Sequence, residues 1–244
     1  MKSTVGQDFL EKTKYENMGS SDQNRGVPAP PLQQSAVSDI RIDLPEAVMS
    51  PVNLGTAIEN RQTYRNYDPT PLSLEELSTL LWATQGVKRI VGEQTTFRTV
   101  PSAGSRHAFE TALLINRCAD LEPGLYRYLA LDHQISPVRL SESAAQEVRS
   151  ACLNQGSIEK SAVTFIWYAV TERMIWRYAD RGYRYLFLDA GHVCQNLYLA
   201  AESMGCGVCA IAAFDDNQLN EVLHLDGEHE FAIYLAALGK KPGI

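Results

Sequence analysis

The chain has 244 residues, of which 45% are hydrophobic and 21% charged, with a formal net charge of -7. That length suits one large domain or two small ones, and the composition is that of a globular protein. The acidic balance excludes a sequence-independent nucleic-acid binder, whose affinity would come from Lys and Arg on phosphates, but it leaves room for one local basic pocket.

Residues 1–53 read as an N-terminal arm rich in Ser, Asn, Gln, Pro and charge. Its start, Met1 to Gly19, lacks the apolar stretch of a signal peptide. Gly26-Val27-Pro28-Ala29-Pro30-Pro31 is expected to be extended, because proline fixes its own φ and biases the residue before it away from helix. The arm reads either as disordered or as a wrap over the domain or a partner subunit. A globular domain is expected over residues 54–244. Ser73-Leu74-Glu75-Glu76 reads as a capping box, followed by Leu77, Leu80 and Leu81 at helical spacing and Gly86 as a stop. Strands are expected at Thr111 to Asn116, then at Gly124 to Leu129 and Ile135 to Val138 as a hairpin. Ala162 to Val170 reads as a buried strand, rich in β-branched and aromatic residues. It is among the longest apolar runs, and it has half the ~20 residues that a membrane helix needs.

Tyr183 to Met204 is the strongest helix signal. Leu186, Ala190, Val193, Leu197, Ala200 and Met204 step along one face, and Leu188, Tyr198 and Ala201 make the other faces apolar too, so burial on several sides is expected. A strand from Gly207 to Phe214, a short helix capped by Asp215 or Asp216, and a last strand from Phe231 to Leu238 complete an α+β layered fold.

Four segments carry chemistry. In Arg61-Gln62-Thr63-Tyr64-Arg65, residues 61 and 65 share a face in either a strand or a helix, and two planar guanidiniums suit a phosphate. The same stretch also reads as a solvated surface with ion pairs. Pro101-Ser102-Ala103-Gly104-Ser105 is a loop whose backbone can approach a ligand closely, or an ordinary turn. The small residues from Gly205 to Ala213 suit backbone donors facing a planar ligand, or tight packing. Cys206 and Cys209 form a C-x-x-C, but no second pair accompanies it, so small buried residues are the favoured reading over a redox pair or metal site. The five cysteines are odd in number and scattered, which fits a reducing cytoplasm. Finally, Thr171 to Tyr185 holds four Arg and three Tyr, and reads equally as a substrate-pocket lining or as a solvated helix start.

Taken in order, the text resembles the SagB-type branch of the nitroreductase-like flavoproteins, which includes dehydrogenases of thiazolines and oxazolines in peptides. The resemblance runs through Arg61-Gln62-Thr63-Tyr64-Arg65-Asn66-Tyr67, Pro71 to Ser78, Leu80 to Gly86, Arg98 to Gly104, Glu122 to Tyr126, Arg181 to Tyr185, Asp189 to Leu197 and Ala213-Phe214-Asp215-Asp216. It implies an FMN-dependent oxidoreductase with ping-pong hydride transfer, a mostly antiparallel sheet flanked by helices, and a homodimer with flavin at the interface. It also implies residue roles. Arg61 and Arg65, with Gln62 and Thr63, hold the phosphate and ring edge. Pro101, Ser102, Ala103 and Ser105 reach the flavin from the other subunit. Ala210, Ile211, Ala212 and Ala213 offer backbone N–H groups to the ring. Gln155 lies near the flavin. For the downstream Lys/Arg pair that many nitroreductases use on the phosphate, either Lys240 and Lys241 substitute or Arg61 and Arg65 suffice.

Other positions bear on the chemistry that the resemblance implies. Arg177-Tyr178 stands where peptide azoline dehydrogenases of this branch carry a Lys-Tyr pair, and Arg does not act as a base near neutral pH. Tyr178 is then the expected proton donor or acceptor, with Arg177 beside it. His107 is expected to titrate near neutrality or to serve packing, and Tyr183 is the other candidate substrate contact. Alternative functions are an NAD(P)H-dependent reductase of nitro, quinone or enone compounds, and an idle flavin-fold scaffold of a biosynthetic complex. No membrane or nucleic-acid partner is expected beyond the small-molecule or peptide substrate.

Overall fold

The computed structural model describes residues 4–243. In chain order it contains α1 (Val5–Lys12), β1 (Ile42–Asp43), α2 (Leu54–Asn60), α3 (Leu74–Gln85), β2 (Val87–Val91), β3 (Thr95–Arg98), β4 (Phe109–Ile115), β5 (Gly124–Leu129), β6 (Gln134–Leu140), α4 (Ala144–Ala151), α5 (Ser157–Lys160), β7 (Val163–Val170), α6 (Thr171–Tyr178), α7 (Gly182–Glu202), β8 (Cys206–Ile211), α8 (Asp216–Leu223) and β9 (Glu230–Lys240). Seven strands form one sheet in the order β1-β6-β5-β4-β7-β9-β8, and every pairing in it is antiparallel. This is the expected α+β class.

β4 and β7 are buried along their whole length because both sheet faces are covered. On one face Leu77, Leu80 and Leu81 of α3 meet Leu186, Val193 and Leu197 of α7 over Phe165 and Trp167. On the other, Val148 of α4 and Leu219 of α8 pack over Ile166 and Tyr168. Alternation along β7 thus feeds two cores at once. The expected caps are present: the Ser73 hydroxyl accepts from Glu76 N and Glu76 returns to Ser73 N, while Asp215 caps α8. The β2–β3 hairpin stands outside the main sheet and was not anticipated; its exposed Ile90, Val91 and Phe97 break the alternation by which a half-buried strand is read. No helix among the described residues is long and apolar enough to cross a membrane.

Within residues 4–53, α1 is closed by its own capping box at Thr4, and the chain that follows runs over the body. Trp176 Nε1 donates to Val27 O at 2.8 Å, Arg173 Nε to Pro31 O at 2.8 Å and Arg98 to Leu32 O at 3.3 Å. Beneath them Arg173 pairs with Glu110 at 2.6 Å, both fully buried. Arg184 donates to Thr13 Oγ1 and Leu10 O, and Arg181 to Thr13 O, so two cations meet the C-terminal carbonyls of α1.

Candidate functional site

The Arg61–Tyr67 segment follows α2 and lies along the outer edge of β8. Thr63 bridges Val208 in parallel fashion, and Tyr64 N donates to Val208 O at 3.0 Å. Gly207 permits this approach: a Cβ there would lie 2.6 Å from Tyr64 Cβ. The Tyr67 hydroxyl fastens the end of the segment, its one proton shared between Tyr64 O at 2.8 Å and Ala237 O at 3.0 Å. Tyr198 of α7 fastens the start. Its hydroxyl accepts from Ala210 N at 2.9 Å and lies 3.3 Å from Thr63 Oγ1, and the Arg61 guanidinium lies 5.2 Å from its ring centroid. Arg65 and Gln62 are exposed, and Gln62 donates to Tyr64 Oη at 2.8 Å. Neither Arg61 nor Arg65 enters an ion pair among the described residues.

β8 stops at Ile211, where its ladder with Leu235 ends. Ala212 and Ala213 are exposed beyond it, with N–H groups that donate to nothing among the described residues. The Ala210 N–H is already taken by Tyr198. Gln155 donates from Nε2 to Ala213 O at 2.9 Å, so the structure does bring it to this segment. Beside Ala212 a cavity of about 520 Å³ is lined by Phe187, Ala190, Phe214, Phe231 and Tyr234.

Lys240 does not join this group. Its ammonium pairs with Glu76, a residue turned to that side by its own capping box. Lys241 is the nearer cation, 5.2 Å from the Tyr64 ring centroid, but it is paired with Glu202 at 2.6 Å. Nor do Cys206 and Cys209 converge: three residues apart in a strand they face opposite cores, and all five cysteines are free and buried. Burial pushes the Cys206 thiol up to about 11 and Cys194 to about 12. No cluster of metal ligands occurs among the described residues.

The Pro101–Ser105 loop is anchored from within. Ala103 N donates to both carboxylate oxygens of Asp189 at 3.3 Å, and His107 N donates to Ser102 Oγ at 2.9 Å. Asp189 lies buried in α7, and that burial raises its pKa while Ser102 and Ala103 oppose the rise. Gly104 takes a φ of +55°, and a Cβ there would lie 2.5 Å from Tyr178 Oη and 3.0 Å from Arg177 Cδ. The loop therefore lies directly against Arg177 and Tyr178 at the end of α6. Tyr178 packs edge-on to Tyr185 at 4.8 Å, and Arg177 stacks 5.6 Å from the Tyr178 ring centroid.

Of the two readings of His107, the structure favours packing over a group that titrates near neutrality. Its imidazole is buried, and burial with the nearby Arg98 brings its pKa down to about 3, so it is neutral rather than titrating near pH 7. Tyr183 packs half-buried against the core, and it is Tyr185 that meets Tyr178. Two residues that hold the site were missed as site residues. Asp189 sits three residues after Leu186 and four before Val193, so it is an acid on an apolar helical stripe, and that is its sequence signal. Tyr198 carries no such signal.

The nitroreductase family matches residues 58–240. The chain belongs to that family. A protein named as a nitroreductase, MJ1384 of Methanocaldococcus jannaschii, is 34% identical over 202 residues, covering 83% of this chain and 97% of its own length. The trifolitoxin-processing protein TfxB of Rhizobium leguminosarum bv. trifolii is 26% identical over 65% of this chain, which spans only 44% of TfxB. A Ralstonia eutropha crystal structure named for a nitroreductase is 26% identical and aligns with a TM-score of 0.71 over 89% of this chain and 97% of its own. The family and fold are those of an oxidoreductase.

Proposed function

We propose that the chain is an FMN-dependent oxidoreductase whose flavin is shared between two copies. The observation that carries this reading is the unspent donor set along and just beyond β8: two guanidiniums without a carboxylate partner, Arg61 and Arg65, and the open N–H groups of Ala212 and Ala213. That chemistry fits FMN, because a phosphate takes forked donors and a flavin edge accepts from backbone N–H. Arg61 and Arg65, with Gln62 and Thr63, would hold the phosphate and ring edge, and Gln155 would steady Ala213. When bound, FMN would supply the hydride chemistry of a ping-pong exchange between two substrates. Tyr178 would hold its hydroxyl against the loop and pass the accompanying proton, and Arg177 would add positive charge beside it.

This reading takes two copies, as the resemblance implies, and the spacing along α7 is in keeping with it. Asp189, which holds the loop, and Tyr198, which holds the Arg61 segment, are nine residues apart on α7. At about 1.5 Å and 100° per residue they lie ~13 Å apart on opposite faces of the helix. One chain keeps its two half-sites apart, and a second copy would close each site. The apolar surface left on α7, with Phe187 60% and Leu188 61% exposed, supports that partner.

The substrate is proposed to be small or peptide-derived, in line with the name of TfxB. The resemblance to MJ1384 along nearly its whole length favours the second reading, an NAD(P)H-dependent reductase. The visible spectrum of the purified protein tests both. A flavin spectrum is expected. A colourless protein that fails to take up FMN would sink the enzyme and leave a scaffold. Bleaching by NADH or NADPH without air would select the reductase, and indifference to both would select a dehydrogenase that passes electrons to oxygen.

A further inference from the structure

Beside the loop the molecule gathers positive charge that its own residues do not neutralise. Arg106 is buried, and its guanidinium donates only to neutral groups: Nε to Gly104 O at 3.1 Å, Nη2 to Gln94 O at 3.0 Å and to Thr95 Oγ1 at 3.1 Å. It stacks 5.2 Å from the Trp176 ring centroid. Burial and the neighbouring Arg177 both lower its pKa. Arg177 is half-buried, touches the loop at Gly104, and donates to no described residue. Neither arginine enters an ion pair among the described residues. Two buried acids of this region are committed elsewhere, and Asp180 and Glu93 pair with neither arginine. Asp189 accepts from Ala103 N, and Glu110 holds Arg173. Arg181 and Arg184, about one and two turns on, are occupied with α1 and the residues after it.

Two like charges side by side, one of them desolvated, cost free energy that an anion placed between protein and solvent would recover. A guanidinium with its fork free matches a carboxylate by two parallel hydrogen bonds. We propose that Arg177, backed by Arg106, is a carboxylate-binding subsite, so that the molecule whose proton Tyr178 handles carries a carboxylate group. This rests on the reading of Tyr178 as the proton-transfer residue of a flavin site. Because Arg177 is stacked on that phenol, its anion belongs to the reacting molecule rather than to the distant adenosine phosphate of a nicotinamide donor.

The test is a calorimetric titration of the FMN-loaded protein with benzoate and with its neutral isostere benzamide. Wild type is compared with Arg177→Gln and Arg177→Lys. Wild type is expected to bind benzoate about tenfold more tightly than benzamide, the fold-change of one charge-assisted pair. Arg177→Gln should erase that preference and Arg177→Lys should keep part of it. Equal or absent binding of the two ligands by wild type overturns the proposal, as does a preference that survives Arg177→Gln. A third arm uses 2′-AMP. If Arg177→Gln weakens 2′-AMP and leaves benzoate untouched, the carboxylate assignment is overturned in favour of a nicotinamide phosphate. Flavin absorbance is read in the same samples. A yellow protein without a benzoate preference sinks this inference alone, whereas a colourless one sinks the flavin reading.

Discussion

The Arg61–Tyr67 segment and the Pro101–His107 loop are both fastened to α7, but by different means. The first lies on an open sheet edge, held by backbone bonds to Val208 and by Tyr198, and it leaves its cations without partners. The second rests on a buried carboxylate, a neutral buried histidine and a glycine of positive φ; its backbone and carboxylate groups are satisfied, and its one unneutralised charge, Arg106, is buried rather than open. Unspent charge at a surface is what a ligand would complete, while satisfied buried polar groups fix geometry before a ligand arrives. The two regions should therefore respond differently to substitution, one in affinity and the other in rate and stability.

The largest effect is expected on the first region. Arg61→Ala with Arg65→Ala should lower FMN affinity by about 3–6 kcal/mol, taking 1.5–3 for each charge-assisted contact, as measured by flavin titration of the apoprotein. Stoichiometric flavin in the double variant would refute the phosphate assignment. Next, Tyr178→Phe should leave flavin bound but slow turnover by about 10²-fold, the scale of a lost proton-transfer group. Unchanged turnover would remove Tyr178 from the mechanism.

The pH response should then separate the regions without touching the ligand. The folded-state pKa of His107, about 3, lies below its ordinary value of 6.5. Below pH 6.5 the unfolded chain takes up a proton that the folded chain refuses. The contribution of the neutral ring is thus full above pH 6.5 and lost as pH falls, by about 2 kcal/mol at pH 5. Urea midpoints at pH 7 and pH 5 measure this, and His107→Gln should narrow the gap; an unaltered gap would mean that another group carries it. The smallest effect is that of Gly104→Ala. A side chain at positive φ costs about 1–2 kcal/mol, seen as a lower melting temperature. Its Cβ should also displace Tyr178 and slow turnover with flavin retained. A variant as stable and active as wild type would show that the loop is not held against Tyr178.

Much of this architecture was legible in the residues. The capping box at Ser73, the apolar run at Val163–Val170 and the heptad-like steps of α7 each state a local rule that tertiary packing then obeyed. The hairpin Val87–Arg98 was not legible, because it exposes apolar residues to a surface that one chain alone does not cover. The candidate site divides the same way. That residues 61 and 65 share a side follows from side-chain periodicity, whereas the bond from Gln155 to Ala213 depends on the chain after α4 meeting the chain after β8 in the fold. The pairing of Lys240 with Glu76 could not be read, since it depends on β9 running beside the start of α3. Nor could the depressed pKa of His107 be read, since it comes from burial in the fold together with the charge of Arg98. Asp189 was visible as an acid on an apolar stripe, a signal that marks burial but not what the carboxylate holds.

The central claim is that each site takes the Arg61 half from one copy and the loop with Tyr178 from another. A mixed dimer tests it most directly. One tagged chain carries Arg61→Ala and Arg65→Ala, the other Tyr178→Phe, and the hybrid is purified on both tags. Each parent alone should turn over poorly. If the halves come from different copies, one of the two sites in the hybrid is wholly intact, and turnover should return to about half the wild-type value per dimer, as that one-in-two arrangement requires. A hybrid as inactive as its parents would contradict the account, because it would mean that both halves act within one chain.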